Sequence, residues 1–407
     1  MQVRHPGRRQ RGAMIITTAL VLLFLLGFMG IALDFGHLFV VRTELQTAVD
    51  SCALAAAREL DKQGNAITRA QSAGQTAGNA NRVNMQSATW SGEGQLVLAD
   101  ITFRDASYAP TVDPAVAAYA QCVHTQPNIV IWLMKAMGAF SGNAAAYPAT
   151  GSVFASAVAT RASAQTTCPI PVALKPKAGG VAPNYGLSVG DWVKLIQAQN
   201  ASAGGEIGWA NLDGSNSASE TESELNNHCG TKVGDTLGTP GVQTSVVDVW
   251  NQRFGIYKNS GDPSVQRPDY TGYAYTAVTW PAQSNAFGDF LAKRAAFASC
   301  IDTGKVKDCE DLTGLSLNSF QKLAASGNFA GGHKQYGLDR RVVTVPVIDG
   351  GGRVIDYACM LMLQPLTIPM SDTWLEFRGN AGAAGSPCTT SGLAGGTAGP
   401  LVPVLVR

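Results

Sequence analysis

The hydrophobic pattern of the chain opens with an unbroken apolar run. From Ala13 to Leu33 there are 21 residues and no charged side chain. At about 1.5 Å rise per residue they span roughly 31 Å, the hydrocarbon thickness of a bilayer. The pattern then changes character without a break. Leu38, Val41, Leu45, Ala48, Cys52 and Ala55 recur at alternating three- and four-residue spacing, while Arg42, Glu44, Asp50 and Arg58 mostly avoid that stripe. There is no Pro here and no Gly between Gly36 and Gly64. The spacing predicts one helix over residues 13–61, roughly 73 Å long. Its first half faces lipid, and its second half lays an apolar stripe on its own domain or on another subunit.

Shorter patterns follow. Residues 62–86 read as a second short helix or a loop, and "QLVLADITFR" (95–104), "AVAAYAQCVH" and "SVFASAVATR" as strands, the last two separated by the apolar segment "NIVIWLMKAMG". A helix packed on a small sheet suits 90–170. "CPIPVALKPKAGGVAPNYG", rich in Pro and Gly, marks a boundary near 168–186. Beyond it "SVGDWVKLIQAQ", "ETESELNNH" and "NAFGDFLAKRAAFASC" are helix candidates. "RRVVTVPVIDGGGRVIDYACMLMLQPLTI" predicts a hairpin turning at Asp349–Gly352, and "LVPVLVR" a closing strand that Pro403 assigns to an edge. The expected fold class is α+β: a single transmembrane helix continuing into a long amphipathic helix, then mixed α/β extracytoplasmic domains with β-hairpins. The expected divisions are a basic segment 1–12, the span 13–33, the amphipathic helix 34–61, a first α+β region 62–170 and a Gly-rich α+β domain 171–407.

Charge orients the span. Arg4, Arg8, Arg9 and Arg11, with His5, precede the run, so the positive-inside rule places residues 1–12 in the cytoplasm and the rest outside. A removable signal has an apolar core of about 7–15 residues and a small-residue exit. This core is longer and exits through "GIALDFGHLF", so a retained anchor is expected. A pilin-like leader would be cut between Gly12 and Ala13, but Thr17 stands where such leaders carry Glu. Formal net charge is +1, which gives no cue to nucleic acid, and 14% charged residues with 45 Gly suit an extracytoplasmic β-rich or mixed protein.

The N-terminal residues resemble a known family. "RRQRGAM", the apolar run and "ALDFGHLFVVRTELQTAVDSCALAAA" are similar to the signature of the tight-adherence (Tad) pilus-assembly proteins, the TadE/TadG-like group. The matching residues are Arg9 and Gly12 before the span, Asp34 and Gly36 after it, then Leu45, Gln46, Ala48, Asp50 and the cluster Ala55–Ala57; Cys52 stands where Ala is usual. "NIVIWLMKAMGAF" with "SVFASAVATRAS" resembles the family's short helix and strand, and "GEIGWANL", "VDVWNQRFGIY" and "TWLEFRGNAGAAGSPC" resemble segments of the TadG-related branch. The resemblance implies a bitopic inner-membrane protein with a periplasmic C-terminal region that takes part in Flp pilus assembly. Its implied partners are the membrane and other pilus-assembly or pilin-like proteins, met through the N-terminal helix, with self-association left open. Thr17 and the chain length favour the unprocessed TadG-like side, whose members often carry a von Willebrand A-type domain.

Candidate chemistry is sparse. Eight cysteines in an exported chain suggest disulfides; Cys300 and Cys309 bracket a short loop and are the expected pair, while spacing leaves Cys52, Cys122, Cys168, Cys229, Cys359 and Cys388 unassigned. No C-x-x-C occurs, so zinc is not expected. "GLSVG" (186–190) matches a nucleophile-elbow pattern, but a poor strand precedes it, and Ser188 with Asp191 reads as the cap of the helix "DWVKLIQ". "DGSNS" places Asp213, Ser215 and Ser217 at the spacing of an adhesion-type Mg²⁺ site, yet the same residues suit a turn before "ETESEL". The expectation is therefore a non-enzymatic protein with no catalytic residues, cofactor or metal. Its alternatives are a processed filament subunit and a membrane-tethered hydrolase using Ser188.

Overall fold

The computed structural model describes residues 11–84, 95–135, 138, 142–143, 149–196, 204–240, 246–257, 261–301, 332–367, 371 and 373–406. The chain is α+β and forms two compact units, Met1–Arg161 with Pro403–Arg407, and Ala162–Val402.

The first unit is built on α1 (Arg11–Arg58), a continuous helix of 48 residues. Val41, Leu45, Ala48, Cys52 and Ala56 are buried along it, with Leu60 continuing the seam just past its end, whereas Ala55 is only half-buried. A straight helix turns every 3.6 residues, so over five turns the buried seam drifts off the heptad spacing and passes from Ala55 to Ala56. The stripe is covered by its own unit. Helix α2 (Ala66–Asn79) buries Ala66, Ala70, Gly74 and Gly78, four apart, on one face. A Cβ at Gly74 would lie 3.1 Å from the Ala56 Cβ, and one at Gly78 would lie 3.2 Å from the Cys52 Cβ. Rising numbers on α2 meet falling numbers on α1, so the two helices run antiparallel. Side chains no larger than a methyl on the α2 face let the backbones approach closely.

Under this pair lies a sheet of order β11-β4-β3-β1-β2, from β1 (Ile101–Arg104), β2 (Pro110–Thr111), β3 (Tyr119–Val130), β4 (Thr150–Ser163) and β11 (Leu401–Leu405). Ala155, Ala157 and Ala159 of β4 alternate inward, and the Cys52–Cys122 disulfide ties α1 to β3. Strand β11 takes the edge, where Pro403 loses no ladder bond, and the Val406 N–H donates to Val158 O at 2.8 Å. Two expectations are corrected here. Residues 128–130, read as the start of a helix, continue β3, because pairing with Thr150 and Gly151 extends the ladder through Val130 and Ile129. The stretch 95–104 is a strand only from Ile101, after a 3₁₀ turn at Leu98–Asp100.

The second unit is a closed six-stranded barrel in the order β10-β6-β7-β5-β8-β9, from β5 (Val172–Leu174), β6 (Trp192–Leu195), β7 (Ile207–Trp209), β8 (Val342–Ile348), β9 (Val354–Met362) and β10 (Thr373–Asn380). The β8–β9 hairpin turns at Asp349–Gly352, with Val342 opposite Leu361 and Val347 opposite Asp356. Residues two apart fill the barrel: Val172 and Leu174, Val345 and Val347, Met360 and Met362, Leu375 and Phe377. The intervening Leu361 and Leu363 pack outside against Tyr275 and Phe290, the latter on the helix Phe287–Ser299. Cover on both faces is why these strands read as unbroken apolar runs. The expected helix "DWVKLIQ" is instead strand β6. Trp192, Val193, Lys194 and Leu195 alternate half-buried and buried, and Val193 and Leu195 enter the barrel opposite Leu375 and Thr373. The helices Ala218–Asn227 and Phe287–Ser299 form as expected. Disulfides Cys168–Cys229 and Cys359–Cys388 close this unit.

Candidate functional site

Helix α1 divides into two surfaces. From Met14 to Leu33 its apolar side chains stand open, Met14 at 72% and Leu23 and Phe24 at 67% exposure. Thr17 and Thr18, polar within this stretch, each donate a hydroxyl to Met14 O, which satisfies them inside the helix itself. This is one helix long and apolar enough to cross a membrane.

At the end of that stretch, Asp34 is buried, 2% exposed. Its carboxylate accepts the backbone N–H groups of Trp132 (3.1 Å), Leu133 (2.9 Å) and Met134 (2.6 Å). A buried carboxylate is tolerable only when its oxygens are occupied by donors, and here three successive amides supply them. The Trp132 ring stacks on His37 at 4.8 Å between centroids. One helical turn past the buried stripe's start, Gln46 Nε2 donates both to Asp50 Oδ1 (2.7 Å) and to Ser156 O on β4 (3.0 Å). Arg161 then donates to Leu60 O just beyond the helix end.

Residues 12–59 match the family model Tad, described as putative Flp pilus-assembly TadE/G-like. The N-terminal segment is similar to the Tad family. No curated protein and no solved structure matches the chain. The Tad match supports a role in Flp pilus-related function, and its apolar helix supports single-pass membrane anchoring.

Within the Tad-like segment most signature residues have a visible task. Asp34 holds the 132–134 backbone, Leu45 and Ala48 lie in the core, and Gln46 with Asp50 locks α1 to β4. Gly36 is different, because a Cβ there would meet nothing within 4 Å. Gly12 lies in the first turn of α1; Arg9 and Cys309 fall outside the described residues. Cys300 follows the helix Phe287–Ser299, its N–H donating to Phe297 O.

The remaining candidates serve turns. Ser188 caps no helix: its N–H donates to Asp191 Oδ2 and its carbonyl accepts the Asp191 N–H, closing a tight turn into β6. Asp213 Oδ1 accepts the Ser215 N–H at 2.8 Å, Ser215 Oγ accepts from Asn211, and Ser217 Oγ bonds Ser219. These bonds hold Asp213, Ser215 and Ser217 as the turn before the helix Ala218–Asn227. Among the described residues no cluster of three His, Cys, Asp or Glu has metal-holding geometry.

A cleft of about 440 Å³ to which no sequence motif points lies in the second unit, lined among others by Glu224, Arg253, Arg294, Asp339 and Arg340. Arg294 pairs with Asp339 at 2.6 Å and with the buried Asp269. Arg253 donates to Arg340 O and Leu225 O; burial, then the charge of Arg340, pulls its pKa down to about 9 against the opposing pull of Asp269. Glu224 accepts the N–H groups of Leu212 and Asp213, yet burial pushes its carboxyl up to about 7. These side chains come from separate segments, each of which reads by itself as solvated.

Proposed function

We propose that this chain is a membrane-anchored, non-enzymatic component or accessory of Flp pilus assembly, on the TadG-like side. Helix α1 holds it in the inner membrane, with the N-terminus in the cytoplasm and both folded units in the periplasm. The observation that carries the reading is the Tad match over a helix whose first half is apolar and uncovered. Because the second half is covered by its own unit, contact with other assembly or pilin-like proteins falls to the face before Arg42. Three disulfides among the described residues suit an oxidising compartment, and Arg4, Arg8, Arg9 and Arg11 favour a cytoplasmic N-terminus.

Intact mass and N-terminal sequencing of the membrane-extracted protein test the anchor. A chain starting at Met1 supports it, and one starting at Ala13 makes it a processed filament subunit. In-frame deletion in a piliated host tests the role. Loss of surface pili, restored by the full chain and by its Ser188→Ala variant, is expected; unchanged pilus number would remove the proposal, and failure of Ser188→Ala alone would favour a hydrolase.

A further inference from the structure

We propose that residues 130–134 enter the periplasmic leaflet of the membrane that α1 crosses, so that the chain meets the bilayer twice: through its helix and through Trp132 and Leu133. The inference rests on the reading of α1 as a membrane span. Leu133 packs beside Gly30, where a Cβ would come within 3.1 Å of the Leu133 Cβ. Gly30 lies four residues before Asp34, about 6 Å toward the bilayer centre. Whatever surrounds the helix at Gly30 therefore surrounds Leu133 as well.

The exposed side chains agree. Trp132 is 57% exposed although its ring stacks on His37, and Val130 and Leu133 are also open. Asp34 is the one acidic residue between Met14 and Val41, and the amides of residues 132–134 remove it from the surface. The exterior of α1 from Met14 to Val40 then carries no charged side chain, and Arg42 is the first exposed charge beyond it. Those residues span about 40 Å, matching a bilayer with its interfacial layers rather than its hydrocarbon core alone. Phe35, Phe39 and Trp132 fall in the outer part of that span, where aromatic side chains favour the headgroup boundary. Lys135, exposed three residues after Trp132, suits lipid phosphate at the same level. Continuity with the span is what selects lipid as the occupant of this surface over another protein.

The test uses the full-length chain in nanodiscs of phosphatidylethanolamine and phosphatidylglycerol, and in matched discs with dibrominated acyl chains. Co-elution with the discs is scored first; a chain that does not co-elute overturns the anchor and this inference together. In co-eluting samples, bromolipid is expected to quench part of the tryptophan fluorescence, and Trp132→Phe to lose that part. Adding Leu133→Trp to the Trp132→Phe chain is expected to restore it. Equal fractional quenching in wild type and Trp132→Phe, or no recovery with Leu133→Trp, overturns the second contact while leaving the anchor standing.

Discussion

Gly78 of α2 lies against Cys52 of α1, so close that a Cβ at Gly78 would stand 3.2 Å from the Cys52 Cβ and 3.3 Å from Ala48 O. The neighbouring Gly74 is equally confined, 3.1 Å from both the Ala56 Cβ and Ile101 Cδ1. Gly74→Val should therefore overpack the interface and lower stability by about 1–3 kcal/mol. Chemical denaturation of the full chain in detergent measures it, and an unchanged midpoint would show that the helices are not so closely packed.

Gly36 gives the opposite expectation. It sits inside α1 with open space around it, so Gly36→Ala should raise stability by roughly 0.5–1 kcal/mol through helix propensity alone. If a partner approaches the helix there, the same variant lowers pilus number in the deletion host. Normal piliation would assign Gly36 no contact.

Asp34→Ala strips the acceptor from three backbone amides. Leaving buried donors unsatisfied costs at least about 2 kcal/mol. Asp34→Asn retains a carbonyl oxygen and should lose less. Equal melting temperatures for wild type and Asp34→Ala would mean that water reaches these amides.

The bridge between Cys52 and Cys122 spans 70 residues of sequence. Replacing both by Ala suits the small-residue seam, so the loss should reflect the missing cross-link, about 2–4 kcal/mol. Denaturation of the double variant beside wild type, both without reductant, gives the difference.

Glu224 predicts a pH dependence. Its folded carboxyl titrates at about 7 against 4.5 for an ordinary Glu, so between these values the folded chain holds a proton that the unfolded chain has lost. Its contribution to stability therefore falls as pH rises from about 4.5 to about 7 and is constant above. Glu224→Gln should flatten that part of the melting profile; an identical slope in the variant would place the titration elsewhere.

Local pattern made much of this architecture legible. The long helix, the β8–β9 hairpin with its four-residue turn and the edge position of Pro403 all follow from periodicity and backbone chemistry close to each residue. Strand β6 did not, because "DWVKLIQ" is short enough to fit either period and only the barrel beside it selects the strand. Asp191 accepts the Ser188 N–H as it would in a helix cap, but the Ser188 carbonyl, not its hydroxyl, accepts the Asp191 N–H, and no motif distinguishes that turn from a cap.

By itself, then, the sequence determined the apolar span, its continuation as one helix, the α+β class and the resemblance to Tad, all properties of contiguous residues. Tertiary structure alone decided that the α1 stripe is covered by its own unit, which cysteines meet, that Asp34 is hydrogen-bonded by amides about a hundred residues away, and that three arginines line one cleft. The physical reason is common to all of these. Each depends on which distant segment supplies a small side chain, a donor or a charge, and no local spacing encodes that choice.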